Sequence, residues 1–137
     1  QVITLASIVE QETLMNDEKP TIAGVYFNRL RKGMRLEADP TVIFALGDFS
    51  KQRVLNADKK VDSPYNTYKY TGLPPGPIVV PSAASIDAVL NYEKHSYIYF
   101  CAKEDFSGYH NFAKHYSQHI LNAIKFRREL DRRGIKK

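Results

Sequence analysis

The chain has 137 residues, of which 43% are hydrophobic and 26% charged, with a net charge of +5 and one cysteine. That length supports one domain with a substantial core. The lone Cys101 excludes an internal disulfide, and no apolar run approaches the roughly 20 residues that cross a bilayer. The surplus charge is local, because Lys125 to Lys137 hold seven bases against two acids and leave the rest neutral. Such an end reads as solvated helix-end charge that complements the helix dipole, rather than as a surface for nucleic acid.

The first predicted element is a helix over Val2 to Thr13. At about 100° per residue, Val2, Ile3, Leu5, Ala6, Ile8 and Val9 cover more than half its circumference, leaving Thr4, Ser7 and Gln11 as a polar strip. The helix is therefore expected to be mostly buried. It carries two carboxylates, and Glu10 falls beside Ile3 and Ala6 whereas Glu12 falls beside Leu5 and Ile8, so they point in different directions. A carboxylate against apolar neighbours holds its proton toward neutral pH, the profile of a general acid. Glu10 is the candidate, unless it ends the helix structurally or pairs with an arginine. Glu12, near the helix end, is expected to bond the following loop or a basic side chain.

A polar loop, Asn16 to Lys19, leads through Pro20 into a second helix with Ile22, Val25, Tyr26, Arg29 and Leu30 at helical spacing and Gly33 as its stop. Arg29, Arg31, Lys32 and Arg35 gather there, as helix-end charge or as a groove wall facing an anionic or sugar-rich ligand. Asp39-Pro40-Thr41 marks a third helix with Asp39 as cap, running to Gly47. Glu37, just before it, is free to face a cleft. Val54 and Leu55 suggest a short helical piece.

Ser63 to Pro77 combines three tyrosines, an amide and a Pro/Gly segment too stiff for a helix or central strand, and so reads as an ordered loop. Flat rings with hydroxyl tips suit sugars, which present an apolar face and a polar rim. A single lysine argues against a phosphate backbone. Ser82 caps a fourth helix with Ile86, Val89 and Leu90 inward. Tyr97 to Ala102 and Tyr109 to Phe112 form a hairpin in which Cys101 is a buried small residue and His110 a candidate for the cleft. A long helix, about Lys114 to Arg133, closes the chain. His115 and His119 stand one helical turn apart, but no HExxH motif or third ligand supports a metal site, and no phosphate loop or GxSxG elbow appears.

Taken together, LASIVEQET, NRLRKGMRLEADPTVIFALG, YNTYKYTGLPPGPI and YIYFCAKEDFSGYHNF resemble the YceG-like family of endolytic murein transglycosylases. The resemblance implies an α+β, mainly helical, lysozyme-like catalytic domain with a small antiparallel hairpin, spanning residues 1–137. It implies cleavage of the β-1,4 bond between N-acetylmuramic acid and N-acetylglucosamine within peptidoglycan strands, leaving 1,6-anhydro ends without added water. The Glu of SIVE, here Glu10, would act as acid and then as base. Glu37, Tyr65, Asn66, Thr67, Tyr68 and His110 would bind substrate, Tyr65-Asn66 resembling the Tyr-Asn pair beside the catalytic Glu of lysozyme-like transglycosylases. No cofactor and no metal is implied.

The family's membrane helix and LysM-like domain would lie outside this chain, placing it on the outer side of the cytoplasmic membrane, with peptidoglycan synthases as partners. Two departures stand out: Glu37 where relatives commonly read Gln, and Val80-Pro81-Ser82 where they commonly read Asn-Pro-Gly. The rival readings are a non-catalytic glycan-binding module, a pyridoxal-phosphate aminodeoxychorismate lyase and a nucleic-acid binder using the basic end.

Overall fold

The computed structural model describes residues 1–51 and 53–134, so Lys136 and Lys137 of the basic end lie outside it. The described residues form five helices, α1 (Val2–Glu12), α2 (Lys19–Arg31), α3 (Asp39–Leu46), α4 (Ala83–Leu90) and α5 (Tyr116–Arg132), one 3-10 turn, Asp58–Lys60, and two strands, β1 (Tyr99–Ala102) and β2 (His110–Ala113). The strands pair antiparallel with Tyr99 opposite Ala113 and Ala102 opposite His110. The architecture is α+β and mainly helical, as expected.

Helix α1 is the centre of the core. Leu5, Ala6, Ile8 and Val9 pack against Ile22, Ala23 and Tyr26 of α2, Leu36 and Ala38 before α3, and Val89 of α4. Of the polar strip of α1, Thr4 and Ser7 are buried too, which hydropathy alone did not indicate, while Gln11 is exposed. Ser7 Oγ donates to Thr4 O at 2.6 Å and accepts from Ile78 N at 3.0 Å, so this strip receives the proline loop, while Val2 and Ile3 in the first turn are exposed. In α4, Val89 is buried but Leu90, expected inward, is 62% exposed.

Pro20 lies in the first turn of α2, where a missing N–H costs nothing, and Gly47 ends α3 in the left-handed conformation at φ 73°. The cap of α3 is Ala38 rather than Asp39, which stands one residue inside the helix and frees its carboxylate for another partner. Ser82 caps α4 by accepting from Ser85 N. The predicted piece at Val54 and Leu55 is instead the 3-10 turn a few residues later.

The hairpin is tied to α2 at both ends. Near the start of α2, buried Glu18 accepts from His110 N at 2.7 Å and lies 2.8 Å from His110 Nδ1. Farther along, Asn28 Nδ2 donates to His95 O and Tyr97 O, and Arg29 Nε donates to Ile98 O at 2.7 Å. Helix α5 packs on the hairpin and closes the far side of a hollow that opens beside the end of α1.

Candidate active site

The hollow has a volume of about 410 Å³, and α1, α2, α3, the proline loop, β1 and α5 each contribute to its wall. A second hollow, about 420 Å³, adjoins it and shares Glu12, Ala102, His110 and Phe126. Glu12 thus stands where two halves of one groove meet. Met15, Phe106 and Tyr109 line the second half together with Leu14, which is 90% exposed, giving the apolar surface that a sugar ring's flat face seeks.

Glu12 is the perturbed carboxyl of this groove. Surrounding protein pushes its pKa up to about 8, a nearby Asp39 charge adds to the rise, and a hydrogen bond from Tyr26 opposes it. Tyr26 is itself 1% exposed, and its hydroxyl donates to Glu12 Oε1 at 3.0 Å. Oε1 is therefore occupied by a donor. The proton belongs on Oε2, which bonds no other described group and is left for a ligand.

Glu10, expected to carry the proton, has the opposite environment. It does not line the groove, and its Oε1 accepts from Ser82 N at 2.9 Å, Ser82 Oγ at 2.7 Å and Ser85 Oγ at 2.6 Å, with Lys19 Nζ at 3.6 Å. These donors hold its pKa down at about 2, Ser85 contributing most. It is an ionised strap joining α1, α2 and the start of α4. Val80-Pro81-Ser82, one of the two departures, supplies two of its three hydrogen bonds.

The other predicted residues divide. Glu37, Tyr68 and His110 line the first hollow, whereas Tyr65, Asn66 and Thr67 do not. Asn66 is fully buried with its amide spent within the loop: Nδ2 donates to Lys59 O and Val61 O, and Oδ1 accepts from Tyr68 N. Thr67 is equally buried, its carbonyl accepting from Glu37 N and its Oγ1 from Ala38 N. Tyr65 leans on Phe44 with ring centroids 4.7 Å apart. Asn66 and Thr67 thereby brace Tyr68 and Glu37, which do line the hollow.

Glu37 depends on that brace. It holds φ at +51°, a left-handed conformation unusual for a side-chain residue, and its carboxylate lies 3.8 Å from Arg29 Nη1. Tyr68 hydrogen-bonds Asp39, and burial together with that carboxylate keeps its hydroxyl protonated, well above the ordinary range. Cys101, expected to be buried, is half-buried at the groove wall, and its thiol pKa is pushed up by burial and then by Glu104.

Tyr26, Asp39 and His119 line the groove without having been singled out for it, while Arg29, read as helix-end charge or groove wall, does stand in the wall. Their sequence signals were weak, since each also fits a core, cap or helix-end role. The glutamate that faces the groove lies four residues after Ile8, which is wholly buried. That spacing was the signal for Glu12.

The match to the YceG-like family model runs over residues 1–125. The chain belongs to the YceG-like family. Over 105 residues it is 47% identical to a Bacillus subtilis protein named endolytic murein transglycosylase, covering 77% of this chain and 29% of that one. A Streptococcus pneumoniae protein of the same name is 37% identical over 106 residues, covering 74% and 19%. The crystal structure of a YceG-like protein from Listeria monocytogenes superposes with a TM-score of 0.83 at 45% identity, over 88% of this chain and 38% of that one. This chain therefore spans under a third of the matched curated relatives' length and carries the fold of one part of a larger YceG-like protein.

Proposed function

We propose that this chain is the catalytic domain of an endolytic murein transglycosylase, acting on peptidoglycan strands outside the cytoplasmic membrane. The names of its relatives support the substrate class. The observation that carries the chemistry is Glu12, a carboxyl with a pKa of about 8 at the junction of two hollows, its Oε1 held by Tyr26. A groove continuing on both sides of the proton donor suits attack within a strand rather than at its end.

In this reading Glu12 replaces Glu10 as the proton donor. Glu12 Oε2–H protonates the oxygen bridging N-acetylmuramic acid and N-acetylglucosamine, and the bond to the muramyl C1 breaks. The resulting carboxylate, stabilised by the Tyr26 hydroxyl, takes the proton of the muramyl C6 hydroxyl as that oxygen closes on C1. One group serves as acid and then as base, so the product is a 1,6-anhydro sugar and no water is consumed. Charge developing at C1 is met by the substrate's own N-acetyl oxygen.

Asp39 and Glu37 line the same hollow and motivate a second reading, two-carboxylate hydrolysis, which would give a reducing end heavier by one water. Mass analysis of products from purified glycan strands separates the two. Glu12→Gln is expected to reduce anhydromuramyl product by about 10²- to 10⁴-fold, whereas Glu10→Gln, assayed per folded molecule, keeps most of it. Equal turnover by Glu12→Gln and the native chain would overturn the assignment. A native chain that retains strands without cleaving them would favour a glycan-binding module.

A further inference from the structure

His119 of α5 takes no part in the mechanism above, yet it lines the same hollow as Glu12, and its Nδ1 is enclosed without a hydrogen-bond partner among the described residues. Its ring stacks on Tyr99, centroids 5.0 Å apart and planes 18° from parallel. The Arg29 guanidinium carbon lies 5.3 Å from the centroid of that same tyrosine ring. Burial first, then the Arg29 charge, lowers the imidazole pKa, so the ring is neutral. A neutral imidazole has one N–H. On Nδ1 it would be a buried donor without an acceptor, so it belongs on Nε2, which is not enclosed.

Arg29 is held in a comparable way. Its Nε donates to Ile98 O and its Nη1 to Arg35 O, both at 2.7 Å, and its Nη2 donates to no described group. His119 thus offers one free N–H and Arg29 the two of Nη2, on side chains already fixed by their other contacts, so little ordering cost remains for a ligand. Both groups only donate, so the ligand atom that they hold must accept, as a carbonyl oxygen does. Glu37 and Asp39 in the same hollow disfavour a free anion.

We propose that His119 Nε2–H and Arg29 Nη2–H form a carbonyl-binding corner of the groove that receives an amide oxygen of the bound glycan, with His119 as a substrate-positioning residue. This rests on the reading of the groove as a glycan site. A murein strand offers two such oxygens, that of the N-acetyl group and that of the lactyl group amide-linked to the peptide stem.

The test compares His119→Phe, which keeps a ring against Tyr99 but no N–H, with His119→Gln, whose amide nitrogen falls near Nε2. His119→Phe is expected to raise KM for purified strands about tenfold, the loss of one useful hydrogen bond, with kcat within about threefold. His119→Gln is expected to recover most of the difference. An unchanged KM in His119→Phe overturns the proposal. So does an equal fall in kcat and melting temperature for both variants, which is the mark of packing.

Binding in a Glu12→Gln background locates the oxygen. A penalty for His119→Phe on N-acetylglucosamine oligomers assigns it to the N-acetyl group, and a penalty confined to murein strands assigns it to the lactyl amide. Should the native chain bind strands with this penalty but release no anhydro product, the catalytic reading fails and the corner stands. Should it cleave strands while His119→Phe matches it in KM, the corner alone fails. A native chain that neither cleaves nor retains strands overturns both.

Discussion

Glu12 owes its proton to neighbours acting in opposite senses. Burial and the Asp39 charge favour the neutral acid, while the Tyr26 hydroxyl favours the carboxylate that the proposed proton transfer would leave. Tyr26→Phe separates these effects, because it removes one oxygen from a side chain already 1% exposed and leaves the ring in place. With its stabilising donor gone, the pKa of Glu12 rises further, so the basic limb of the kcat/KM profile is expected to move to higher pH. Turnover falls at the same time, by about 10²-fold on the scale of one lost transition-state hydrogen bond. A profile that keeps its basic limb while losing amplitude would show that Tyr26 acts through packing alone.

At the scale of elements, the helices and the hairpin were largely legible because each carries local signals: Pro20 and Pro40 in first turns, Gly47 beyond a helix end, Ser82 at a cap. The site was less legible. Which face of α1 meets the groove is decided by α5 and the hairpin, far away in sequence, so apolar neighbours on α1 alone pointed to Glu10 and left Glu12 a structural role. The Tyr-Asn pair lies away from the hollow for a similar reason. An amide suited to sugar is equally suited to its own loop, and Asn66 serves the loop.

Two element contacts can be tested by stability. Glu10 ties three helices, and because its folded pKa of about 2 lies below the ordinary 4.5, its contribution is complete above about pH 4.5 and is lost as pH falls through about 2. Glu10→Gln is expected to cost about 1–3 kcal/mol at pH 7, with the gap in urea midpoint closing near pH 2. A gap of equal size at both pH values would show that the carboxylate's charge contributes nothing. At the α2 contact with the residues after α4, a Cβ on Gly24 would meet Glu93 O at 2.4 Å and His95 Nε2 at 2.5 Å. A backbone oxygen cannot swing aside, so Gly24→Ala is expected to cost about 1–3 kcal/mol. It should lower the melting temperature even though alanine is the better helix former.

For the whole molecule, the two glutamates of α1 bend the pH dependence of stability in opposite directions. Folded Glu10 releases its proton at lower pH than the unfolded chain does, so below about 4.5 stability rises with pH. Folded Glu12 keeps its proton to about pH 8, whereas the unfolded chain releases it near the ordinary 4.5. Between those values the folded state binds more protons, and its stability falls as pH rises. From these two groups the maximum lies near pH 4.5, away from the neutral range in which a general acid with a pKa of about 8 is still protonated and useful. The domain therefore gives up stability at neutral pH to hold a proton in its groove, and one substitution should return it. Glutamine has the shape of protonated Glu12 and cannot ionise, so Glu12→Gln and the native chain should melt together near pH 4.5. The variant should become progressively the more stable up to about pH 8, beyond which the difference levels off. Thermal melts of both proteins from about pH 4.5 to 9 measure this directly, and parallel curves would mean that Glu12 ionises in the folded state as readily as in water, leaving the groove without its acid.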